Sequence, residues 1–221
     1  VAKPAATVIL VRQRQAMEVL MVERVARGFF GGLMVFPGGG IEPADESELA
    51  RRLSDYQGDD SAHRCAAIRE LAEETSILLT PQGVEMANLA DGAFYKSIEA
   101  RSLELGSGRL TLVSRWVTPE GAPTRYDTLF YLAVVDGEVE IRLDPLELVS
   151  AHWIMPDQAL DRHDAGGWPM FTPTVSHLRW LAKRSSPADA ITSALGADAR
   201  TVIKPVVMDD GSIVRTMVPG W

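Results

Sequence analysis

The chain has 221 residues, 46% of them apolar and 24% charged, with 22 Lys and Arg against 30 Asp and Glu for a formal charge of −8. This composition excludes a disordered, collagen-like or coiled-coil chain, and the length suffices for a core that needs no disulfide or metal staple. The acidic balance argues against a broad electrostatic hold on nucleic acid, so an anionic small-molecule substrate has to be met by a cation or a local arginine cluster. The single cysteine, Cys65, provides neither an internal disulfide nor a thiolate zinc site, and it reads as a small core residue. No apolar run approaches the ~20 residues of a membrane span. A cytoplasmic location is expected, although the opening Val1-Ala2-Lys3-Pro4 leaves a removed leader open.

Ala6 to Val11 is β-branched and nearly continuous, which predicts a strand covered on both faces, and Val19 to Val22 predicts a second. Leu33 to Phe36 is a third short strand, expected to stop at Pro37-Gly38-Gly39-Gly40 with no regular element beyond. Residues 41–61 are acidic and turn-rich, an expected surface excursion with one short helix at Ser47 to Leu53 capped by its serine. Ser61 is placed as the N-cap of a helix over 62–79 that Pro81 stops, with Ala67, Ile68, Leu71 and Ala72 at helical spacing. A second helix is predicted over Val84 to Leu105, kinked at Asp91-Gly92. Strands follow at 110–117, 129–135, 139–143 and 151–154, with Asp136-Gly137 as a turn. Helices are expected at 156–160, 173–184 and 187–195, then a hairpin of 201–208 with 212–218, where Pro205 marks an edge strand. Strands and helices mix without regular βαβ alternation, so the fold class is α+β: a mixed sheet layered between helices.

The chemically informative segment is Arg69-Glu70-Leu71-Ala72-Glu73-Glu74. At about 100° per residue, Glu73 and Glu74 flank Glu70 on one helix face, opposite Leu71 and Ile68. Three like charges within one turn repel unless something positive sits among them, and a hard divalent cation is the natural counter-ion. A solvated acidic face is the competing reading. The Phe36-Pro37-Gly38-Gly39-Gly40 turn upstream weighs against it, because glycines let backbone carbonyls approach a metal or phosphate closely.

This arrangement resembles the Nudix hydrolases, whose box runs Gly, five residues, Glu, seven residues, Arg-Glu-apolar-any-Glu-Glu-any-Gly-apolar. Gly39 fits its opening and Arg69 to Ile77 its close. Asp45 stands where the first Glu belongs, residues 46–61 read as an insertion within the box, and Ser76 replaces the closing Gly. The likeness extends over residues 4–182. Ala5-Ala6-Thr7-Val8, Trp116-Val117-Thr118-Pro119, Arg125-Tyr126-Asp127-Thr128, Glu147 ahead of Trp153, and Trp168-Pro169 through Pro173 are similar to the acyl-CoA diphosphatase branch. Leu20 to Arg24, Gly32 and Phe36 to Gly39 partly resemble its CoA motif.

The resemblance implies a single Nudix domain, an α/β/α sandwich with helical insertions at 46–61 and 84–109 and a C-terminal extension over 185–221. It implies metal-assisted hydrolysis of a diphosphate, with Glu70 and Glu74 as principal Mg²⁺ or Mn²⁺ ligands, Glu73 as third ligand or base, and the Gly38 or Gly39 carbonyl completing the shell. Arg69 is expected to pair with these carboxylates or with an acid in the loop. The base is open among Glu73, Glu147 and Asp127, and Glu70 counts among the catalytic carboxylates. Arg24, Arg125 and Gly38 are candidates for binding substrate. CoA or acyl-CoA is the expected substrate, with ADP-ribose or another nucleoside diphosphate compound, or a non-hydrolysing nucleotide sensor, as alternatives. Trp116 and Trp153 read as core, the four histidines receive no role, and the terminal hairpin suggests a homodimer.

Overall fold

Strand β1 (Lys3–Gln13) sets the architecture, because its side chains alternate between two separate cores. Ala6, Val8 and Leu10 are buried in one, Ile9 and Val11 in the other, as a strand covered on both faces requires. The computed structural model describes residues 1–27, 31–87, 94–207 and 213–214.

Strands β2 (Met17–Arg24) and β3 (Met34–Val35) follow, and then Gly38–Gly40 forms a further short strand, β4. This corrects the expectation that no element continues through the glycines. Ala5, Ala6 and Thr7 pair antiparallel with Gly40, Gly39 and Gly38, and a Cβ on Gly38 would meet the Ala6 carbonyl oxygen at 2.5 Å. Only glycine permits strands this close.

Residues 41–61 are more than surface. Helix α1 (Glu48–Leu53) begins as predicted, with the Ala50 N–H bonded to the Ser47 hydroxyl at 3.1 Å. However, Asp45, Ala50 and Asp60 are buried, and the segment is stitched to residues 105–108 by the Leu105 N–H on the Leu53 carbonyl and the Gly108 N–H on Asp55.

Helix α2 (Ser61–Thr75) starts from Asp60 and ends earlier than expected. Ser76 adopts a left-handed φ of 61°, and Ile77–Thr80 turns into strand β5, paired with β6 (Gly83–Met86). The predicted long helix over 84–105 is therefore a strand followed by the short helix α3 (Phe94–Ala100), and its Asp91-Gly92 break lies outside the described residues. Strands β7 (Thr111–Val117) and β8 (Tyr126–Val135) agree with expectation, whereas residues 139–143 form no strand. They run along the end of α2, where the Arg142 and Asp144 N–H groups take the otherwise unpaired Thr75 and Glu74 carbonyls.

Strand β9 (Leu148–Ile154) pairs with β2, and helices α4 (Pro156–Asp164), α5 (Thr172–Leu181) and α6 (Pro187–Leu195) cover the second face. Val175, Leu178 and Leu181 of α5 all enter that core. Strand β10 (Val202–Ile203) joins β7 in parallel, and β11 (Val206–Val207) pairs with β12 (Ile213–Val214). Pro205 thus lies between two short strands rather than inside one, and the remainder of the predicted hairpin lies outside the described residues. The main sheet runs β10-β7-β8-β1-β2-β3, with β4 also on β1 and β9 also on β2, and it mixes parallel and antiparallel pairs. It is an α+β sandwich, with α1, α2 and α3 on one side of the sheet. Among the described residues no helix is long and apolar enough to cross a membrane.

Candidate active site

Helix α2 places Glu70 and Glu74 one turn apart against β4. The Glu74 carboxylate is almost fully buried; one oxygen accepts the Gly38 N–H at 3.0 Å and the other accepts Arg24 Nη1 at 2.6 Å. Arg24, at the end of β2, then reaches Glu147 through Nη2 at 2.9 Å. Glu147 is carried there by the segment that closes the end of α2, its own carbonyl accepting the Val25 N–H. Glu70 lies directly over Gly39: a Cβ at that position would fall 2.5 Å from the carboxylate. Residues from four separate stretches of sequence meet here because β4 pairs with β1, β1 with β2, and β2 with β9, whose start follows Glu147.

Arg69 organises the same helix from its buried side. Its Nε and Nη2 grip the Asp45 carboxylate in a fork at 2.9 Å each, Nη2 also donates to the Gly40 carbonyl at 3.0 Å, and Nη1 donates to Glu70 at 2.9 Å and Glu73 at 2.8 Å. All five guanidinium N–H donors are thereby used. Burial works against its charge, but Asp45, Glu70 and Glu73 more than offset that and raise its pKa. Arg69 therefore pairs with both kinds of partner expected of it, the box carboxylates and the acid in the loop.

The acids respond to burial. Desolvation pushes Glu74 up to about 8 and Glu70 up to about 7, opposed by Arg24 for Glu74 and by Arg69 for Glu70. Glu73 is raised by the same cause while Arg69 pulls it back. Mutual repulsion adds to this, Glu147 included, so these carboxylates stand close enough to feel one another.

The NUDIX domain family model matches residues 2–172. The chain belongs to this family. A crystal structure of a NUDIX hydrolase from Alicyclobacillus acidocaldarius is 32% identical, covers 87% of this chain and 96% of its own, and superposes with a TM-score of 0.76. A Caenorhabditis elegans protein, named provisionally as nudix hydrolase 7, is 31% identical over 191 residues, 82% of this chain. The chain spans 61% of that relative's length. A MutT NUDIX hydrolase from Burkholderia pseudomallei, at 17% identity and a TM-score of 0.50 over 81% of this chain and 97% of its own, shares the fold.

Nudix hydrolases generally use divalent metal ions, and the donors of this Nudix site suit one. Glu70 and Glu74 are hard oxygen donors whose burial leaves them short of positive charge, and the space beside Glu70 is one that any Cβ at position 39 would fill. Among the described residues no three His, Cys, Asp or Glu side chains are arranged to hold an ion unaided.

The expected residues divide accordingly. Glu70, Glu74, Gly38, Gly39, Arg24 and Glu147 converge, and Glu73 stands at the margin, tied to Arg69 and partly exposed. Arg125 and Asp127 do not join them. Arg125 donates to the Thr118 carbonyl across the β7–β8 turn, and Asp127 is gripped by Arg115 at 2.6 and 2.8 Å. Asp127 lines a separate cavity of about 290 Å³ beside the start of α2, where Asp60, His63, Arg115 and Arg200 stand among Pro4, Leu112 and Leu129.

Two networks lie outside the sequence reading. Tyr95 of α3 donates to Asp45 at 2.5 Å, and Asp60 accepts Tyr56 at 2.8 Å, Tyr131 at 2.9 Å and Arg64 at 3.1 Å. The first joins the acid at the opening of the box, and the second an acid of the box insertion, to distant elements. Neither tyrosine partner across the fold has a local sequence signal, since Tyr95 lies 50 residues from Asp45 and Tyr131 lies 71 from Asp60.

Proposed function

We propose that this Nudix domain is a metal-dependent diphosphatase acting on CoA or an acyl-CoA, yielding a phosphopantetheine fragment and adenosine 3′,5′-bisphosphate. The observation that carries the hydrolytic reading is Glu70 on Gly39 beside Glu74 on Gly38. In it two largely buried carboxylates, whose desolvation outweighs the single arginine that each contacts, lie against a glycine strand. Glu70, Glu74 and the Gly39 carbonyl would hold Mg²⁺ or Mn²⁺. Such a cation, when bound, neutralises charge developing on the diphosphate and lowers the pKa of a coordinated water.

The chain's own residues perform the rest. Arg69 fixes the rotamers of Glu70 and Glu73, so their orientation is established before substrate arrives. Arg24 sits between a buried and a half-exposed carboxylate, with its outer edge open to a phosphoryl oxygen. Glu147 is the proton acceptor in this reading: it is ion-paired as Glu73 and Asp127 are, but its partner Arg24 also contacts Glu74, which keeps it beside the metal-site carboxylates, whereas Arg115 holds Asp127 elsewhere. Water oxygen attacks phosphorus, its proton passes to Glu147, and the bridging P–O bond breaks to release the second phosphate.

The CoA assignment rests on sequence: the partial motif from Leu20 to Gly39 and the Trp116, Arg125 and Trp168 segments. Arg24, which belongs to that motif, contacts Glu74, and this supports placing the motif at the site. The test is product analysis with Mg²⁺ or Mn²⁺ over CoA, a long-chain acyl-CoA, ADP-ribose and a nucleoside triphosphate, with Glu74→Gln as control. Adenosine 3′,5′-bisphosphate that depends on Glu74 supports the proposal. Turnover of ADP-ribose alone keeps the mechanism and overturns the substrate. No metal-dependent turnover of any member favours a nucleotide sensor.

A further inference from the structure

The acid at the opening of the box is Asp45, one methylene shorter than the glutamate this position resembles, and it is fully buried. Its carboxylate is nevertheless saturated. Oδ1 accepts Arg69 Nε at 2.9 Å and the Tyr95 hydroxyl at 2.5 Å, while Oδ2 accepts Arg69 Nη2 at 2.9 Å and the Glu42 N–H at 2.7 Å. Among the described residues Tyr95 supplies the one side-chain donor besides Arg69, and it arrives on α3, far from the box in sequence. Its ring is held edge-on against Phe94 at 5.0 Å, so the hydroxyl is directed by packing. Desolvation and the Asp45 charge keep that phenol protonated, and it is therefore a donor.

We propose that Tyr95 is a positioning residue for the metal site, acting along the line Tyr95, Asp45, Arg69, Glu70 and Glu73. The physical reason is that Arg69 has no spare donor: any swing of Asp45 is passed to Nη1 and so to both glutamates. Asp45 lies in the short turn Pro43–Glu46, and its short side chain has to be held forward to keep both oxygens on the arginine. Tyr95 and the Glu42 N–H hold it from opposite oxygens. This inference rests on the metal-site reading above.

The experiment measures Mn²⁺ binding without substrate, by the loss of free Mn²⁺ signal in electron paramagnetic resonance, for the wild-type chain, Tyr95→Phe and Tyr131→Phe. Tyr131 makes the matching buried bond to Asp60 at 2.9 Å and has no link to Arg69, so it controls for the loss of a buried tyrosine–aspartate bond. Melting temperatures are recorded for all three. Outer-shell partners of metal ligands typically cost 10-fold or more, so Tyr95→Phe is expected to weaken Mn²⁺ by about 10-fold and Tyr131→Phe by less than about 2-fold. Kinetically, Tyr95→Phe is expected to raise the Mn²⁺ concentration needed for half-maximal rate, which a smaller fraction of folded protein would leave unchanged. A double-mutant cycle adds a second reading: once Asp45→Asn is in place, Tyr95→Phe should weaken Mn²⁺ no further. Equal Mn²⁺ affinity in Tyr95→Phe and wild type, or equal weakening in both tyrosine variants, overturns the role of Tyr95 and leaves the metal site standing. Failure of the wild-type chain to bind Mn²⁺ overturns both.

Discussion

The Glu70 carboxylate rests on the Cα of Gly39, so close that a methyl group there would lie 2.5 Å from it. The obstructing atoms are the end of one side chain, and Glu70 can yield without disturbing the strand. Gly39→Ala is therefore expected to fold with an almost unchanged melting temperature while Glu70 turns off its Arg69-held rotamer. A displacement of about 1 Å can cost roughly 10²-fold in rate, and kcat should fall by that order under saturating Mg²⁺. Unchanged turnover would show that Glu70 does not work in this orientation.

Arg24 is the counter-charge for Glu74, at 2.6 Å, and the Arg24 side chain is only 26% exposed. Removing one member of a largely buried pair strands the other, so Arg24→Ala is expected to destabilise the metal-free chain by about 3 kcal/mol in urea unfolding. Protonation of Glu74 absorbs part of the penalty, and the loss should shrink when Mn²⁺ is added, because a cation on Glu74 does what Arg24 did. If Mn²⁺ stabilises wild type and Arg24→Ala equally, Glu74 is not a ligand.

What the sequence made legible was local, and what it hid was pairing at a distance. The spacing of Ala67, Ile68, Leu71 and Ala72 placed the core face of α2, and Ser47 marked the start of α1, since helix periodicity and capping need only neighbours. The end of α2 was hidden because Ile77-Leu78-Leu79 continues an apolar run that suits a helix and a buried strand alike, and Pro81 offered a later stop. Gly38–Gly40 looked incapable of pairing; it pairs with β1 at a separation that only glycine fits at position 38. In the site, the glutamates and glycines were visible as a motif. That Glu147 stands beside Arg24 while Asp127 is held by Arg115 required knowing that β2 and β9 are neighbours and which arginine each acid meets.

Ser76 holds the left-handed position where the Nudix pattern carries glycine, at φ 61°, and repays part of the strain by donating its hydroxyl to the Arg142 carbonyl at 3.1 Å. A non-glycine residue in this region costs on the order of 1 kcal/mol, and an exposed hydrogen bond returns about 0.5–1 kcal/mol. Ser76→Gly is thus expected to be neutral or to stabilise by up to about 0.5 kcal/mol. A clear loss of stability would mean that the bond to Arg142, which anchors the segment leading to Glu147, outweighs the strain.

His177 is fully buried between β7 and α5. Nδ1 donates to the Pro173 carbonyl at 2.6 Å, Nε2 accepts the Ser114 hydroxyl at 2.8 Å, and that hydroxyl accepts the Trp116 indole N–H at 3.2 Å. Both ring nitrogens are engaged by the neutral imidazole, and burial pushes its pKa down to about 3. The unfolded chain titrates near 6.5. Above that pH neither state binds the proton and the full contribution is present. Below it the unfolded chain takes up a proton that the folded chain refuses, so stability falls by up to about 1.4 kcal/mol per pH unit until pH nears 3. Glu70 and Glu74 run the other way in the metal-free chain, because their raised pKa values let the folded state bind protons first, adding stability as pH falls through 8 and 7. The His177 contribution is therefore read as a difference between wild type and His177→Gln, from urea midpoints at pH 7.5 and 5.5. The variant is expected to be less stable at both, with the gap to wild type about 1 kcal/mol smaller at pH 5.5. A gap that stays constant or widens would mean that His177 carries its proton in the folded chain, which would recast the Ser114 hydroxyl as the acceptor of that bond.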